Sequence, residues 1–92
     1  MPGYHGRLVH TRNMTIAFWK VEKGASVPEH SHFHEQVLYV MEGEFEFTVA
    51  NQTKVYYPGD IVVIDPNVPH NGTALTACTL LDVFSPPRDD YR

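Results

Sequence analysis

The chain has 92 residues, and its 7 basic and 11 acidic side chains give a net charge of −4 when the histidines are neutral. This length predicts a single domain over residues 1–92. The acidic balance argues against a nucleic-acid partner, because proteins that bind nucleic acids usually carry a basic patch. No apolar run approaches the ~18 residues of a membrane span, which argues against a membrane partner. The single cysteine, Cys78, excludes an internal disulfide and, with no signal peptide expected, favours a cytoplasmic location.

Short β-strands are predicted along most of the chain, because seven prolines and six glycines are spread too evenly for a long helix. Residues 44–49 place Phe45 and Phe47 on one face and polar side chains on the other, as in a half-buried strand. Residues 61–64 are apolar throughout and are predicted to be buried on both faces. Further strands are predicted at 14–22, 37–41, 53–57, 70–75 and 78–84, followed by a polar tail over 88–92.

About eight short strands without helices predict an all-β fold, a small antiparallel β-barrel or jelly roll with little or no helix. The N-terminal strands are the edge that such a fold protects least. We therefore predict a homodimer with residues 14–22 at its interface. Phe18 and Trp19 lie on opposite faces of that strand, so at least one of them is available to a partner chain.

Histidines form the most distinctive pattern in the chain. His30 and His32 are separated by one residue and are predicted to lie on one face of a strand. Gln36 follows with an amide oxygen, and His70 stands much later, at the start of another predicted strand. Imidazole is the commonest ligand of divalent transition metals, so these four residues predict a metal site. A His-x-His pair also occurs by chance, and His34 is expected to be a solvated loop residue.

Two spacing motifs give the sequence its resemblance to a known family. Residues 24–43 read Gly, five residues, His-x-His, three residues, Gln36, six residues and Gly, and residues 59–70 read Gly, ten residues and His70. The sequence therefore resembles the cupin superfamily, whose first motif has Glu where Gln36 stands. In the second motif Asn67 takes a Gly position, which is acceptable because Asn tolerates a positive φ. Asp65 and Ala74 take a Pro and an Asn position.

The neutral amide at position 36 has a chemical consequence for such a site. A carboxylate ligand would reduce the positive charge of a bound ion, whereas Gln36 leaves it unchanged. We expect a somewhat weaker affinity for the metal and a stronger Lewis acid. The ion itself, which could be nickel, zinc, iron, manganese, cobalt or copper, stays open, because three imidazoles and an amide suit all of them.

Three further segments resemble the cupin subgroup of the pectin-degradation protein KdgF: HSHFHEQ (30–36), GEFEFTV (43–49) and LLDVFSPPRDDY (80–91). The resemblance implies a metal site made of His30, His32, Gln36 and His70. It also implies action on 4,5-unsaturated uronates, which are converted to linear keto forms, and functional roles for Asp82, Phe84 and Arg88.

The residues themselves allow two interpretations of this C-terminal stretch. Asp82 lies within an apolar strand, where a carboxylate is costly unless it is paired, hydrogen-bonded or protonated. Arg88 follows two prolines, 86 and 87, which could direct it back to the barrel mouth. In the functional interpretation, Asp82 is the general acid or base, Arg88 binds a substrate carboxylate and Phe84 shapes the pocket. In the structural one, Asp82 forms a salt bridge and Arg88 is a solvated tail residue.

Together these observations predict a metal-dependent cupin that acts on a sugar acid or a related small carboxylate. The alternatives are a dioxygenase-type or isomerase cupin, which would use the same metal for other chemistry, and a non-catalytic cupin that binds or senses a ligand.

Overall fold

The computed structural model describes residues 2–91, in which nine β-strands and one short 3₁₀ helix occur and no α-helix does. The strands are β1 Tyr4–His10, β2 Thr15–Val21, β3 Ser26–His30, β4 Glu35–Glu42, β5 Phe45–Val49, β6 Gln52–Tyr56, β7 Ile61–Ile64, β8 His70–Ala74 and β9 Cys78–Ser85, and the 3₁₀ helix is Asp89–Tyr91. The predicted all-β class is confirmed. No helix within the described range is long and apolar enough to cross a membrane.

The strands form two sheets in which all pairs are antiparallel. The five-stranded sheet has the order β1-β2-β9-β4-β7, and the four-stranded sheet has the order β3-β8-β5-β6. Neighbours in a sheet are often distant in the chain, because several connections cross from one sheet to the other. This is the jelly-roll arrangement that the strand spacing predicts. The predicted N-terminal strand, 14–22, corresponds to β2 and is not an edge strand, because β1 and β9 pair with it on its two sides. The edge of this sheet on that side is β1, which the sequence analysis did not identify.

The core lies between the two sheets and follows from the alternation of side chains along each strand. Phe45 and Phe47 point inward from β5, as the sequence predicts, and both are buried. Gly72 of β8 pairs with Phe47, and a Cβ atom at Gly72 would lie 2.5 Å from the Phe45 ring. A glycine is therefore required there for the two aromatic rings to pack against the sheet. The buried cluster comprises Val21, Leu38, Val40, Phe45, Phe47, Val62, Ile64, Ala74, Cys78 and Leu80.

The prediction that residues 61–64 are buried on both faces is wrong. Val62 and Ile64 are buried, but Ile61 and Val63 are 62 % and 59 % exposed. The reason is that β7 lies at the edge of the five-stranded sheet, and the four-stranded sheet covers only one side of it. An apolar run without alternation therefore marks a strand here, but not a strand covered on both faces.

The exposed side chains of β7 belong to a larger apolar surface on the five-stranded sheet. Two rows of apolar side chains in cross-strand register run across this side, which we call the outer apolar face. One row comprises Val9, Ile16, Val83, Val37 and Val63, and the other comprises Phe18, Leu81, Tyr39 and Ile61.

Strand β1 is absent from the sequence-based prediction, and β3 is anticipated there only as the strand expected to carry His30 and His32. Strand β3 contains Pro28, which cannot donate a backbone hydrogen bond and therefore weakens a strand prediction. Its edge position makes the proline acceptable, and its pairing with β8 contains an irregularity between Val27 and His30. Strand β1 begins close to the N-terminus and carries few apolar residues, so its sequence pattern is weak.

Candidate metal centre and the adjoining cavity

Three histidines converge where β3 and β8 meet. His30 ends β3 and is the register partner of His70, which begins β8. His32 lies in the loop after β3 and not on that strand, which corrects the sequence-based placement. The Asn67 amide donates a 2.7 Å hydrogen bond to the His32 carbonyl, and this bond ties the two histidine-bearing loops together. One ring nitrogen from each histidine lies within 4.8 Å of the other two.

The conformation of Asn67 is the one that the motif comparison leads us to expect. Its φ angle is +66°, in the left-handed region that Asn tolerates better than most residues. This turn directs its backbone amide toward the loop containing His32. The substitution of Asn for Gly in the second motif therefore preserves the turn that precedes His70.

The three imidazoles are held in the same way by the backbone. In each ring Nδ1 lies within hydrogen-bond distance of a main-chain carbonyl, to which its N–H donates. These carbonyls belong to Pro28, His34 and Val68, at 3.0, 3.0 and 2.9 Å from His30, His32 and His70. A neutral imidazole with its proton on Nδ1 carries a lone pair on Nε2. Three such lone pairs therefore face one another, the arrangement found in histidine-ligated metal sites.

The electrostatics of the cluster favour the neutral forms of His32 and His70. Burial is the main cause that lowers the pKa of His70 to about 4, and burial followed by the charge of Arg88 lowers the pKa of His32. The Nε2 atom of His70 is buried and has no hydrogen-bond partner among the described residues. A buried lone pair without a partner is costly, and a bound cation would satisfy it.

Gln36 completes the donor set. Its amide nitrogen donates a 2.8 Å hydrogen bond to Oδ1 of Asp82, and its oxygen lies 3.1 Å from Nε2 of His32. Since an ionised carboxylate only accepts hydrogen bonds, the amide nitrogen must face Asp82 and the oxygen must face the histidines. Three imidazole nitrogens and one amide oxygen fit a divalent transition metal ion.

Asp82 is buried and bonded to two neutral donors. Besides Gln36, the indole N–H of Trp19 donates to its Oδ2 at 3.1 Å. Burial raises the pKa of Asp82 to about 6, while the hydrogen bonds from Gln36 and Trp19 and the charge of Arg88 act in the opposite direction. Within residues 2–91 the carboxylate of Asp82 forms no salt bridge, so that structural interpretation is wrong.

Arg88 is 7 % exposed, which rules out the solvated-tail interpretation. Its Nε and Nη2 donate to the two carboxylate oxygens of Asp90, at 3.0 and 2.8 Å. The guanidinium carbon lies 4.7 Å from the ring centre of Phe84 and 4.1 Å from that of Tyr91. The backbone amide of Arg88 donates to Thr15 at 2.8 Å. Residues 88–91 therefore fold back onto the sheets and do not extend as a polar tail.

His34 is also buried, at 6 % exposure, contrary to its expected place in a solvated loop. Its Nε2 lies 3.2 Å from the carbonyl oxygen of Pro87, and its ring packs against Phe33 with 4.1 Å between centroids. His34 thus connects the loop that carries His32 to the segment that carries Arg88. The local sequence contains no sign of this contact, because Pro87 is 53 residues away.

A cavity of about 60 Å³ lies between the sheets, beside the histidines. The implied functional residues that line it are His30, Gln36, His70, Asp82, Phe84 and Arg88. Tyr4, Trp19 and Tyr91 also line it, and sequence reasoning assigned none of them a role in the site. The hydroxyl of Tyr4 is buried without a hydrogen-bond partner in the described part of the chain. Strand alternation places Trp19 on an inner face, but its bond to Asp82 depends on tertiary packing.

Comparison with known proteins agrees with this geometry. Residues 17–84 match the family model described as the cupin domain. The pectin degradation protein KdgF of Dickeya dadantii (strain 3937) is 34% identical over 71 residues, which cover 75% of this chain. The same alignment spans 64% of that relative, slightly less than two thirds of its length.

Solved structures agree over the whole chain. The structure of KdgF from Halomonas sp. has a TM-score of 0.94 and 32% identity, covering 100% of this chain and 86% of its own. An RmlC-like cupin from Shewanella frigidimarina has a TM-score of 0.95 and 33% identity, with 100% and 84% coverage. The family match over residues 17–84, the two-sheet fold and the converging histidines agree with one another. This chain therefore belongs to the cupin family.

Proposed function

We propose that this protein is a metal-dependent cupin that promotes ring opening or tautomerisation of 4,5-unsaturated uronates to linear keto forms. The observation that supports it most is that the lone pairs of His30, His32 and His70 and the Gln36 oxygen converge beside a cavity that Asp82 also lines. Two relatives of this chain are named KdgF, and one of them is described as a pectin degradation protein.

In this proposal the four donors hold one divalent transition metal ion, whose chemistry when bound is to polarise substrate oxygens. The identity of the ion bears on the reaction. A dioxygenase-type reaction requires a redox-active ion such as iron, copper or manganese, whereas ring opening does not. The neutral Gln36 leaves the charge of the ion undiminished, which favours binding of anionic substrates.

Arg88 is proposed to bind the carboxylate of the substrate. Asp90 already occupies the Nε and Nη2 donors, so the substrate carboxylate would bind the other N–H groups or displace Asp90. Phe84 lies between His32 and Arg88, with its ring centre 5.7 Å from that of His32. This aromatic wall is proposed to define the space between the metal and the carboxylate site.

Asp82 is proposed to move a proton during the reaction. Burial raises its pKa to about 6, near the range in which a carboxyl group both gives and takes up protons. Its position in the cavity wall, next to Gln36, brings this group close to the metal ligands.

We further propose a homodimer in the cytoplasm that buries the outer apolar face. Monomeric proteins seldom leave so continuous an apolar surface in water, and a two-fold interface covers the same face on both copies. The predicted interface segment, residues 14–22, contributes Ile16 and Phe18 to this face. Lys20, Thr79 and Glu42 form a hydrogen-bonded polar margin at one end. The buried, unpaired Cys78 is compatible with a reducing compartment.

The first prediction concerns the metal. Protein supplied with nickel, zinc, iron, manganese, cobalt and copper should retain one ion per chain after dialysis, measured by elemental analysis. His70→Ala should abolish stoichiometric retention, because it removes one of the three imidazole ligands. His5→Ala removes an exposed histidine that pairs with Glu22 and should retain the metal. Equal metal content in His70→Ala and wild type would refute the site.

The second prediction concerns Asp82. With metal saturating, Asp82→Asn should lower kcat by ~10²–10⁴-fold in an assay that follows loss of the conjugated alkene absorbance of an unsaturated uronate. The raised pKa of Asp82 also predicts that burying its charge reduces stability as pH rises from about 4 to about 6. The Tm of Asp82→Asn relative to wild type should therefore rise across that range. Undiminished turnover in Asp82→Asn argues against proton transfer by this residue.

The third prediction concerns Arg88. Arg88→Ala should mainly raise KM for the uronate, with a smaller loss of kcat from misorientation of the substrate. Arg7→Ala, which removes an exposed guanidinium on β1, is the matched control and should leave KM unchanged. If KM stays the same in Arg88→Ala while Tm falls, Arg88 has a structural role only. A wild-type protein that binds the uronate without turnover supports the non-catalytic alternative.

The fourth prediction concerns assembly. Light scattering at micromolar concentration should give the mass of a dimer. Val63→Glu places a charge on the outer apolar face and should shift the mass toward that of a monomer. Thr53→Glu, an exposed position in the other sheet, is the control and should remain dimeric. Monomeric wild-type protein would contradict the assembly.

A further inference from the structure

The side chain of Gln36 lies between Asp82 and the histidine cluster, and each end of its amide can face only one of them. On one side, its nitrogen donates to Asp82 at 2.8 Å; on the other, its oxygen lies 3.1 Å from Nε2 of His32. Gln36 and Asp82 are both buried, at 6 % and 8 % exposure. The second oxygen of Asp82 accepts the indole N–H of Trp19. Asp82 therefore uses each of its oxygens to accept one N–H.

This arrangement fixes the direction of the amide. If the amide of Gln36 rotated by half a turn, its oxygen would face a carboxylate oxygen of Asp82 with no proton between them. We infer that Asp82 is a positioning residue that holds the oxygen of Gln36 toward the three histidines. Asp82 also carries the negative charge that a glutamate at position 36 would bring, but it lies behind Gln36 and does not face the histidines directly. This inference rests on the metal centre proposed above.

The same geometry explains why a neutral residue stands at position 36. A glutamate there would place two carboxylates within about 3 Å of each other in a buried site, where like charges repel strongly. Either Asp82 or a glutamate at position 36 can therefore carry the charge, but not both. With Gln36→Glu and Asp82→Asn combined, the new amide can donate to Glu at 36 while its oxygen accepts from Trp19. The exchanged pair satisfies the same hydrogen bonds as the native pair.

The single change Asp82→Asn has a different consequence. Its amide oxygen can accept from Trp19, but its nitrogen then faces the nitrogen of Gln36. The hydrogen bond survives only if Gln36 rotates, and this rotation turns its nitrogen, which cannot ligate, toward the histidines. The hydrogen bonds of the metal-free protein are retained, but one metal ligand is lost.

The experiment compares wild type, Gln36→Glu, Asp82→Asn and the double variant, each with Co²⁺ as the probe. Co²⁺ affinity is measured against a competing chelator, its visible absorption bands report the ligand set, and Tm is measured without metal. Gln52→Glu adds the same charge at an exposed position on β6 and is the matched control. Fluorescence of Trp19, the only tryptophan, reports whether its contact with residue 82 persists.

We expect Gln36→Glu to lower the metal-free Tm by about 5 °C or more, because the paired carboxylates destabilise the fold, while Gln52→Glu does not. Asp82→Asn should bind Co²⁺ about 10–100-fold more weakly, with altered absorption bands and a metal-free Tm no lower than that of wild type. The double variant should recover the Tm that Gln36→Glu loses and bind Co²⁺ at least as tightly as wild type.

Two results would overturn the inference: unchanged Co²⁺ affinity and spectrum in Asp82→Asn, or a double variant that is as unstable as Gln36→Glu. Wild-type protein that binds no Co²⁺ would instead overturn the proposed metal centre, and the inference with it. Turnover of the Co²⁺-loaded double variant separates the two roles of Asp82. Recovered turnover assigns it a positioning role alone, whereas absent turnover with tight Co²⁺ binding adds the proton-transfer role.

Discussion

The space between the two sheets has to contain both the apolar core and a polar site, and this constraint governs the rest of the structure. Each polar atom that enters this interior needs a partner, because water cannot supply one there. Three histidines meet the requirement at Nδ1 through backbone carbonyls, and Asp82 meets it through Gln36 and Trp19. Among the described residues Nε2 of His70 is buried without a partner, and in our proposal the metal ion supplies that partner.

The C-terminal segment connects the chemistry of the site to the stability of the fold. Its backbone is held by Thr15 at Arg88 and by His34 at Pro87, so β2 and the loop that carries His32 both contribute to its position. Arg88 is then held between two aromatic rings and Asp90, which limits the loss of side-chain entropy when a ligand binds. A guanidinium fixed in this way can recognise an anion in one orientation, whereas a mobile tail could not.

A chain of this size has only one interior to bury, and the outer apolar face lies opposite it. The five-stranded sheet is therefore apolar on both sides, although only one side is covered within the chain. This division accounts for the mixed burial of β7, where alternate residues belong to the core and to the outer face. In our proposal the second copy supplies the missing layer, in the same way that the four-stranded sheet covers the inner side.

The sequence by itself determined the features that depend on local spacing. The evenly placed prolines and glycines exclude long helices, the alternation in residues 44–49 identifies the inner face of β5, and the motif containing Asn67 predicts its left-handed turn. These are properties of a few neighbouring residues, so they can be read without knowing how the strands pair.

Only the tertiary structure decided which distant groups meet. Gln36 and Asp82 are 46 residues apart, and their hydrogen bond depends on the register between β4 and β9. The burial of His34 and Arg88 likewise depends on the return of the last residues across the cavity. Pairing register and chain reversal are set by the packing of the whole molecule, and no local pattern encodes them. For that physical reason the spacing of the histidines predicted their cluster, but not the bond that orients Gln36 within it.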